Sequence, residues 1–138
     1  MDLHTSGTWA TTINATHLQA GAGSELVSTD QSATSQIVIE VSATAGSSDS
    51  WRLDVRRADS TWPSEIGLWV RRTGGGSGTG SIDGGLAWIE VGATDISFFS
   101  GEGDRDSIPV QLRITGLSLG LSPDSFLSTV HYSLVDTL

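Results

Sequence analysis

The chain has 138 residues, the size of one domain and enough to bury a single core without support from a metal or a disulfide. It contains no lysine and no cysteine, and seven arginines face sixteen acidic residues for a net charge of -9. That balance opposes binding to nucleic-acid phosphates or anionic lipid surfaces, and the lack of thiols excludes disulfides, thiolate nucleophiles and cysteine metal sites. No apolar run approaches the length of a membrane span, and no basic segment followed by an apolar one marks a leader. Gly, Ser and Thr make up more than a third of the residues. An extracellular or cell-surface location is expected, with a leader already removed.

From the N-terminus, Leu3, Trp9, Ile13 and Ala15 share one phase with Thr5, Gly7 and Thr11. This alternation predicts a strand with a small-residue gap at Gly7. Residues 20 to 35 have the flexibility of a loop and the composition of an irregular or short-strand region. From Gln36 to Ala43 the run QIVIEVSA is dense in β-branched residues and predicts a strand with Ile37, Ile39 and Val41 inward. After a turn at Gly46 to Ser50 come two strands that each end in Val-Arg-Arg. In the first, Trp51, Leu53 and Val55 alternate with Arg52, Asp54 and Arg56; in the second, Ile66, Leu68 and Val70 carry the apolar phase. Together the stretch holds five of the seven arginines and three of the five tryptophans, and the two strands are expected as a central pair.

Residues 73 to 85 include seven glycines in thirteen positions, a composition costly to order, and predict a mobile hairpin tip or a crossover. Short strands follow at Leu86 to Val91 and Thr94 to Ser100, then a charged turn, GEGDRDS. Ile108 to Leu121 gives the longest strand signal. Val110, Leu112 and Ile114 share one phase and Leu117, Leu119 and Leu121 the other, so a bulge at Gly116 is expected. The last strand runs to about Val135, with Phe126, Val130, Tyr132 and Leu134 in phase. No stretch has a sustained helical period. About eight to ten antiparallel strands with regular turn signals define an all-β, immunoglobulin-like or jelly-roll-like sandwich, one domain over residues 1 to 138.

Catalytic and cofactor signatures are lacking. His4, His17 and His131 are scattered, no G-x-S-x-G elbow is present, and a Walker A loop would need a lysine. A non-enzymatic protein without a cofactor is expected. Glu102, Asp104 and Asp106 could offer oxygens to Ca²⁺ but fall short of a full ligand set, and a solvated turn is the simpler reading. Arg52, Arg56, Arg57, Arg71 and Arg72 either pair with Asp54, Asp59 and Glu65 on one sheet face or meet the acidic surface of another copy. Trp62, Trp69 and Trp88 are candidates to stack on sugar rings or to anchor a protein partner. Asn14-Ala15-Thr16 fits a glycosylation sequon.

The closing pattern from Leu117 to Leu134, LSLGLSPDSFLSTVHYSL, resembles the last two strands of secreted immunoglobulin-like sandwiches of the spore coat U and pilin-like kind. The resemblance covers about eighteen residues, and the chain departs from those families in having no cysteine pair. It implies an extracellular structural role, in which a terminal strand of one subunit completes the sheet of the next. Leu3, Gly7, Trp9 and Ile13 are the candidate donor positions, and Arg52, Arg56 and Arg71 the candidate polar contacts of a homo-oligomer or homopolymer. The simpler reading keeps Leu3 to Ile13 in its own sandwich. The alternative function is a monomeric carbohydrate-binding or adhesive module built on Trp62, Trp69 and Trp88.

Overall fold

A computed structural model describes residues 1–13, 28–59, 61–118 and 125–137. Eleven strands form among them, none of these residues is helical, and the strands make two antiparallel sheets. The first sheet runs in the order β1 (Asp2–Ser6), β3 (Ile37–Ser42), β10 (Arg105–Thr115), β5 (Gly67–Arg72) and β8 (Ile89–Glu90). To β10 are also paired β2 (Thr29–Gln31) and β6 (Ser77–Gly78). The second sheet runs β11 (Ser128–Asp136), β4 (Ser50–Asp59), β9 (Ile96–Glu102) and β7 (Ser81–Asp83). The expected all-β sandwich is the observed architecture.

Period-two alternation builds the core between the sheets. Ile37, Ile39 and Val41 of β3, Val70 of β5, and Ile108, Val110 and Leu112 of β10 meet Trp51, Leu53 and Val55 of β4 and the two phenylalanines of β9. Phe98 and Phe99 are consecutive yet both buried, because the ladder between β4 and β9 slips one residue between Leu53 and Asp54. Trp51 is fully buried, packs edge-on against Phe99 at 6.0 Å between ring centroids, and donates its indole N–H to the carbonyl of Gly103 at 2.9 Å. That bond satisfies the one polar atom of the largest core side chain. A second cluster, Ile66, Leu68, Ile114 and Leu117, closes one end of the sandwich.

Three expectations are corrected. The strands at Trp51 to Arg57 and Ile66 to Arg72 are not a pair: β4 belongs to one sheet and β5 to the other, because both apolar faces are needed to enclose a single core. Gly116 is not a bulge within a longer strand. Its φ of +81° turns the chain out of β10, and a Cβ there would lie 2.0 Å from the carbonyl oxygen of Glu65. Leu117 is buried as its phase requires, while Leu119 and Leu121 lie outside the described residues. The last strand starts at Ser128, so Phe126 stays exposed at 37% instead of joining the core phase.

The glycine-rich stretch proves to be a crossover. It pairs with β10 through β6, then passes to the second sheet and pairs with β9 through β7. Two arginines hold it. Arg72, only 6% exposed, donates to the carbonyls of Gly84 at 2.5 Å and Gly74 at 3.2 Å. Arg105 reaches the carbonyls of Gly75 at 2.6 Å and Gly80 at 3.1 Å. Burial pulls the Arg72 guanidinium below its usual value, and the carboxylate of Asp83 opposes that shift.

The tightness of the core beside this crossover can be tested at two glycines. An added Cβ at Gly101 would come within 2.5 Å of the Trp51 indole and 2.7 Å of the Ser81 carbonyl oxygen, whereas at Gly92 it would meet nothing within 4 Å. Urea unfolding of Gly101→Ala is expected to show a loss of about 1–3 kcal/mol. Gly92→Ala should stay within about 0.5 kcal/mol of the parent protein. Equal effects at the two sites would contradict the packing described.

Candidate functional site

The outer face of the first sheet carries the most organised surface feature. On β5 and β10 the inward phase is apolar, so Trp69, Arg71, Gln111, Arg113 and Thr115 point the other way. Register sets Arg71 opposite Gln111 and Trp69 opposite Arg113, and β8 places Glu90 opposite Trp69. Trp88, just before β8, joins this face. The Arg71 guanidinium lies 4.6 Å from the Trp88 ring, and that of Arg113 lies 4.5 Å from Trp88 and 5.2 Å from Trp69. The result is a stacked run of Arg71, Trp88, Arg113 and Trp69.

Hydrogen bonds tie both ends of the run. Trp69 donates its indole N–H to the Thr115 hydroxyl at 3.0 Å. Arg71 donates twice to the side-chain oxygen of Gln111, at 3.0 and 2.8 Å, and Gln111 donates to the carbonyl of Ser32 at 2.9 Å. Gln111 is 2% exposed, so its bonds are formed out of water. Chemically the strip offers planar cations interleaved with indole rings, and among the described residues no carboxylate lies within ion-pair distance of Arg71 or Arg113. Each such stack is worth about 0.5–1 kcal/mol at an exposed site.

Of the residues singled out from sequence, Trp69, Trp88 and Arg71 are brought together here. Arg113, which joins them, was not singled out; its place in the outward phase of the longest strand is the signal that would have found it. Trp62 is elsewhere: it packs beside the end cluster, donates to the carbonyl of Ile66 at 2.9 Å, and has the Arg57 guanidinium over its ring at 5.7 Å. No three-tryptophan platform forms, because Trp62 belongs to the end of the sandwich and not to its face.

Arg52 and Arg56 lie on the outer face of the second sheet, remote from Arg71. The five arginines therefore do not form one strip. Asp54 and Asp59 take Arg52 and Arg57 of their own strand, at 2.7 and 3.6 Å, and Arg56 approaches Asp95 at 3.8 Å. The hydrogen bond to Asp54, with its charge, raises the pKa of Arg52 above the ordinary guanidinium value. Beside Arg52, a shallow depression of about 400 Å³ is lined by Ser50, Ser81, Asp83, Ser97 and Glu102, among others.

Glu102, Asp104 and Asp106 do not gather around a point. Asp104 accepts hydrogen bonds from the Thr44 hydroxyl at 2.6 Å and backbone N–H at 3.0 Å, which lower its pKa. Asp106 accepts from the backbone of Ser107 at 2.6 Å. Among the described residues no three His, Asp or Glu side chains cluster as metal ligands. His17 and the sequon at Asn14 lie outside the described residues.

Leu3, Gly7, Trp9 and Ile13 form an arm along the edge of the first sheet. Leu3 sits opposite Val41 in a five-residue ladder between β1 and β3. Gly7 is glycine for a backbone reason. With φ of +109°, it passes so close to Gln36 that a Cβ would lie 2.3 Å from the Gln36 carbonyl oxygen. The Gln36 side chain donates to the carbonyl of Thr8, and the Thr11 hydroxyl to Asp30 at 2.7 Å. Trp9 then packs against both core clusters, and Ile13 against the end cluster.

At the edge of the second sheet, close to β1, β11 holds the only tyrosine of the chain. Tyr132 is half-buried as a residue, but its phenol oxygen is enclosed and has no hydrogen-bond partner among the described residues. Burial pushes its pKa well above the ordinary 10.0. These features define an antiparallel β-sandwich with an edge arm and a cationic aromatic face. No family model, no curated protein and no solved structure matches the chain.

Two outcomes follow. Gln111→Leu strips partners from Arg71 and from a buried carbonyl, and is expected to lower stability by about 1–3 kcal/mol in urea titration. A folded phenol held above 10.0 keeps its proton when the unfolded chain has lost its own, so that part of the stability is present below pH 10 and is lost as pH rises further. The near-ultraviolet phenolate signal, which reports Tyr132 alone, should appear only together with alkaline unfolding. Tyr132→Phe should lose that pH-dependent component and match or exceed the parent stability at neutral pH.

Proposed function

We propose that the protein is a non-catalytic structural subunit of an extracellular filament or surface assembly, self-associating by exchange of its N-terminal arm. One observation carries the reading: the arm is an edge element whose bonded strand, β1, pairs among the described residues with β3 alone. Its apolar groups Met1, Leu3, Trp9 and Ile13 are partly buried against the clusters and none belongs to the fully buried core. An arm held in this way can leave its own sheet and form the same contacts on β3 of a neighbour, with little net change in interactions per subunit. The resemblance of residues 117 to 134 to pilin-like sandwiches points the same way.

A second reading, a carbohydrate-binding or adhesive module, retains Trp69 and Trp88, whose rings share the outer face with Arg71 and Arg113. The arginines on those rings suit an acidic sugar better than a neutral one.

Sedimentation and negative-stain microscopy of the full chain, and of the chain lacking residues 2 to 13, separate the two. Exchange predicts assemblies larger than a dimer that disappear on truncation, and a truncated protein that captures a peptide of residues 1 to 13. A full chain that stays monomeric or dimeric at every concentration, or assemblies indifferent to truncation, would refute arm exchange and direct attention to glycan arrays probed with Trp69 and Trp88 variants.

A further inference from the structure

The arm engages the first sheet; the second sheet ends on a strand with a different character. β11 is nine residues long, pairs over its whole length with β4 and hydrogen-bonds to no other described strand, although β1 of the first sheet lies close to it. The other sheet margins are short: β1 has five residues, β7 three and β8 two. Edge strands of this length are ordinarily protected by lysine, proline, a bulge or an inward charge. β11 has no lysine, proline or bulge, its register with β4 is unbroken, and its one charge in the inward phase, Asp136, lies at its exposed end. The inward residues Val130, Tyr132 and Leu134 are partly exposed along this margin although they pack on the core.

The geometry points to β11 as a self-recognition edge, where a second copy of the chain pairs antiparallel about a two-fold axis at Tyr132. Three constraints select this partner and this register. Inward residues must face inward residues, which requires paired positions of equal parity. Centring on Tyr132 uses all nine residues and sets Val130 against Leu134, His131 against Ser133 and Ser128 against Asp136 of the other copy. Apolar then meets apolar, and no charge lies directly against its like. Moving the axis to His131 shortens the ladder and opposes histidine to histidine; moving it to Ser133 sets Asp136 against inward Val130. The paired edge would join two four-stranded sheets into one of eight. This contact is isologous and closes at a dimer, so it is distinct from arm exchange, which is heterologous and runs on.

The absence of cysteine makes a direct test possible. In the proposed register, positions 131 and 133 of different copies are directly opposed and within disulfide reach, while 131 to 131 and 133 to 133 are diagonal and too far apart. Both side chains lie on the solvent phase of the strand, so the substitutions leave the core intact, as circular dichroism would verify. Under mild oxidation the His131→Cys/Ser133→Cys double variant is expected to give a covalent dimer, and each single variant to remain monomeric on a non-reducing gel. The same cross-link should form in the double variant lacking residues 2 to 13, whether or not arm exchange occurs. In sedimentation the parent chain is expected to dimerise, and Ser133→Lys should abolish that dimer. A double variant that does not cross-link, single variants that cross-link equally, or loss of the cross-link on removal of the arm would each overturn the proposal; the last outcome would assign the β11 edge to the arm of a neighbour.

Discussion

The arrangement depends on β10 having partners along both edges. On one side it meets β3 and then β2; on the other it meets β6 and then β5. A strand saturated in this way must lie inside the sheet, and its eleven residues fix where each neighbour can run. Even its proline conforms. Pro109 has no N–H to give, and it sits where the ladder passes from β6 to β5, its carbonyl accepting from the backbone of Thr73 at 2.9 Å. With β10 central, the margins of the first sheet fall to β1 and β8, and the arm is peripheral as a result.

Arginine, with no lysine beside it, performs several jobs that depend on a planar guanidinium. Arg72 and Arg105 each gather more than one glycine carbonyl, which turns a segment of high chain entropy into a defined passage between sheets. Arg71 and Arg113 lie against indole rings, where a flat and weakly hydrated cation stacks better than a compact ammonium. A lysine at either kind of site would keep the charge and lose the fork or the flat face. The lysine-free composition is therefore written into the fold as well as into the net charge.

The all-β class and most of the core were legible because alternation in runs such as IVIEV, WRLDV and PVQLRI has a single solution on a half-buried sheet. What alternation leaves open is which sheet a strand joins. The strands ending at Arg57 and Arg72 carry the same pattern and lie on opposite sides of the core, so the arginines that look clustered in sequence are divided in space. Gly116 and Gly7 show a related ambiguity: a glycine at a phase break suits a bulge, a shallow pocket or a left-handed turn against a carbonyl, and only the backbone decides. The stack of Trp69, Arg113 and Trp88 was half legible. Trp69 stands out of the apolar phase, but its link to residues 19 and 44 positions away needs the register of three strands.

Charge limits how such a sandwich can associate. Each copy carries -9, so added copies repel, and the repulsion between exposed charges is screened beyond about 10 Å at 0.1 M salt. Contacts made through main-chain hydrogen bonds at an uncharged margin are the least opposed by that field. β11 comes nearer to this character, with one acidic residue at its end, than the edge of β3, which carries Glu40 opposite His4 and meets Asp2 at the start of β1. The two margins belong to different sheets yet adjoin, since β1 lies close to β11, so whatever occupies one margin bears on the space open at the other.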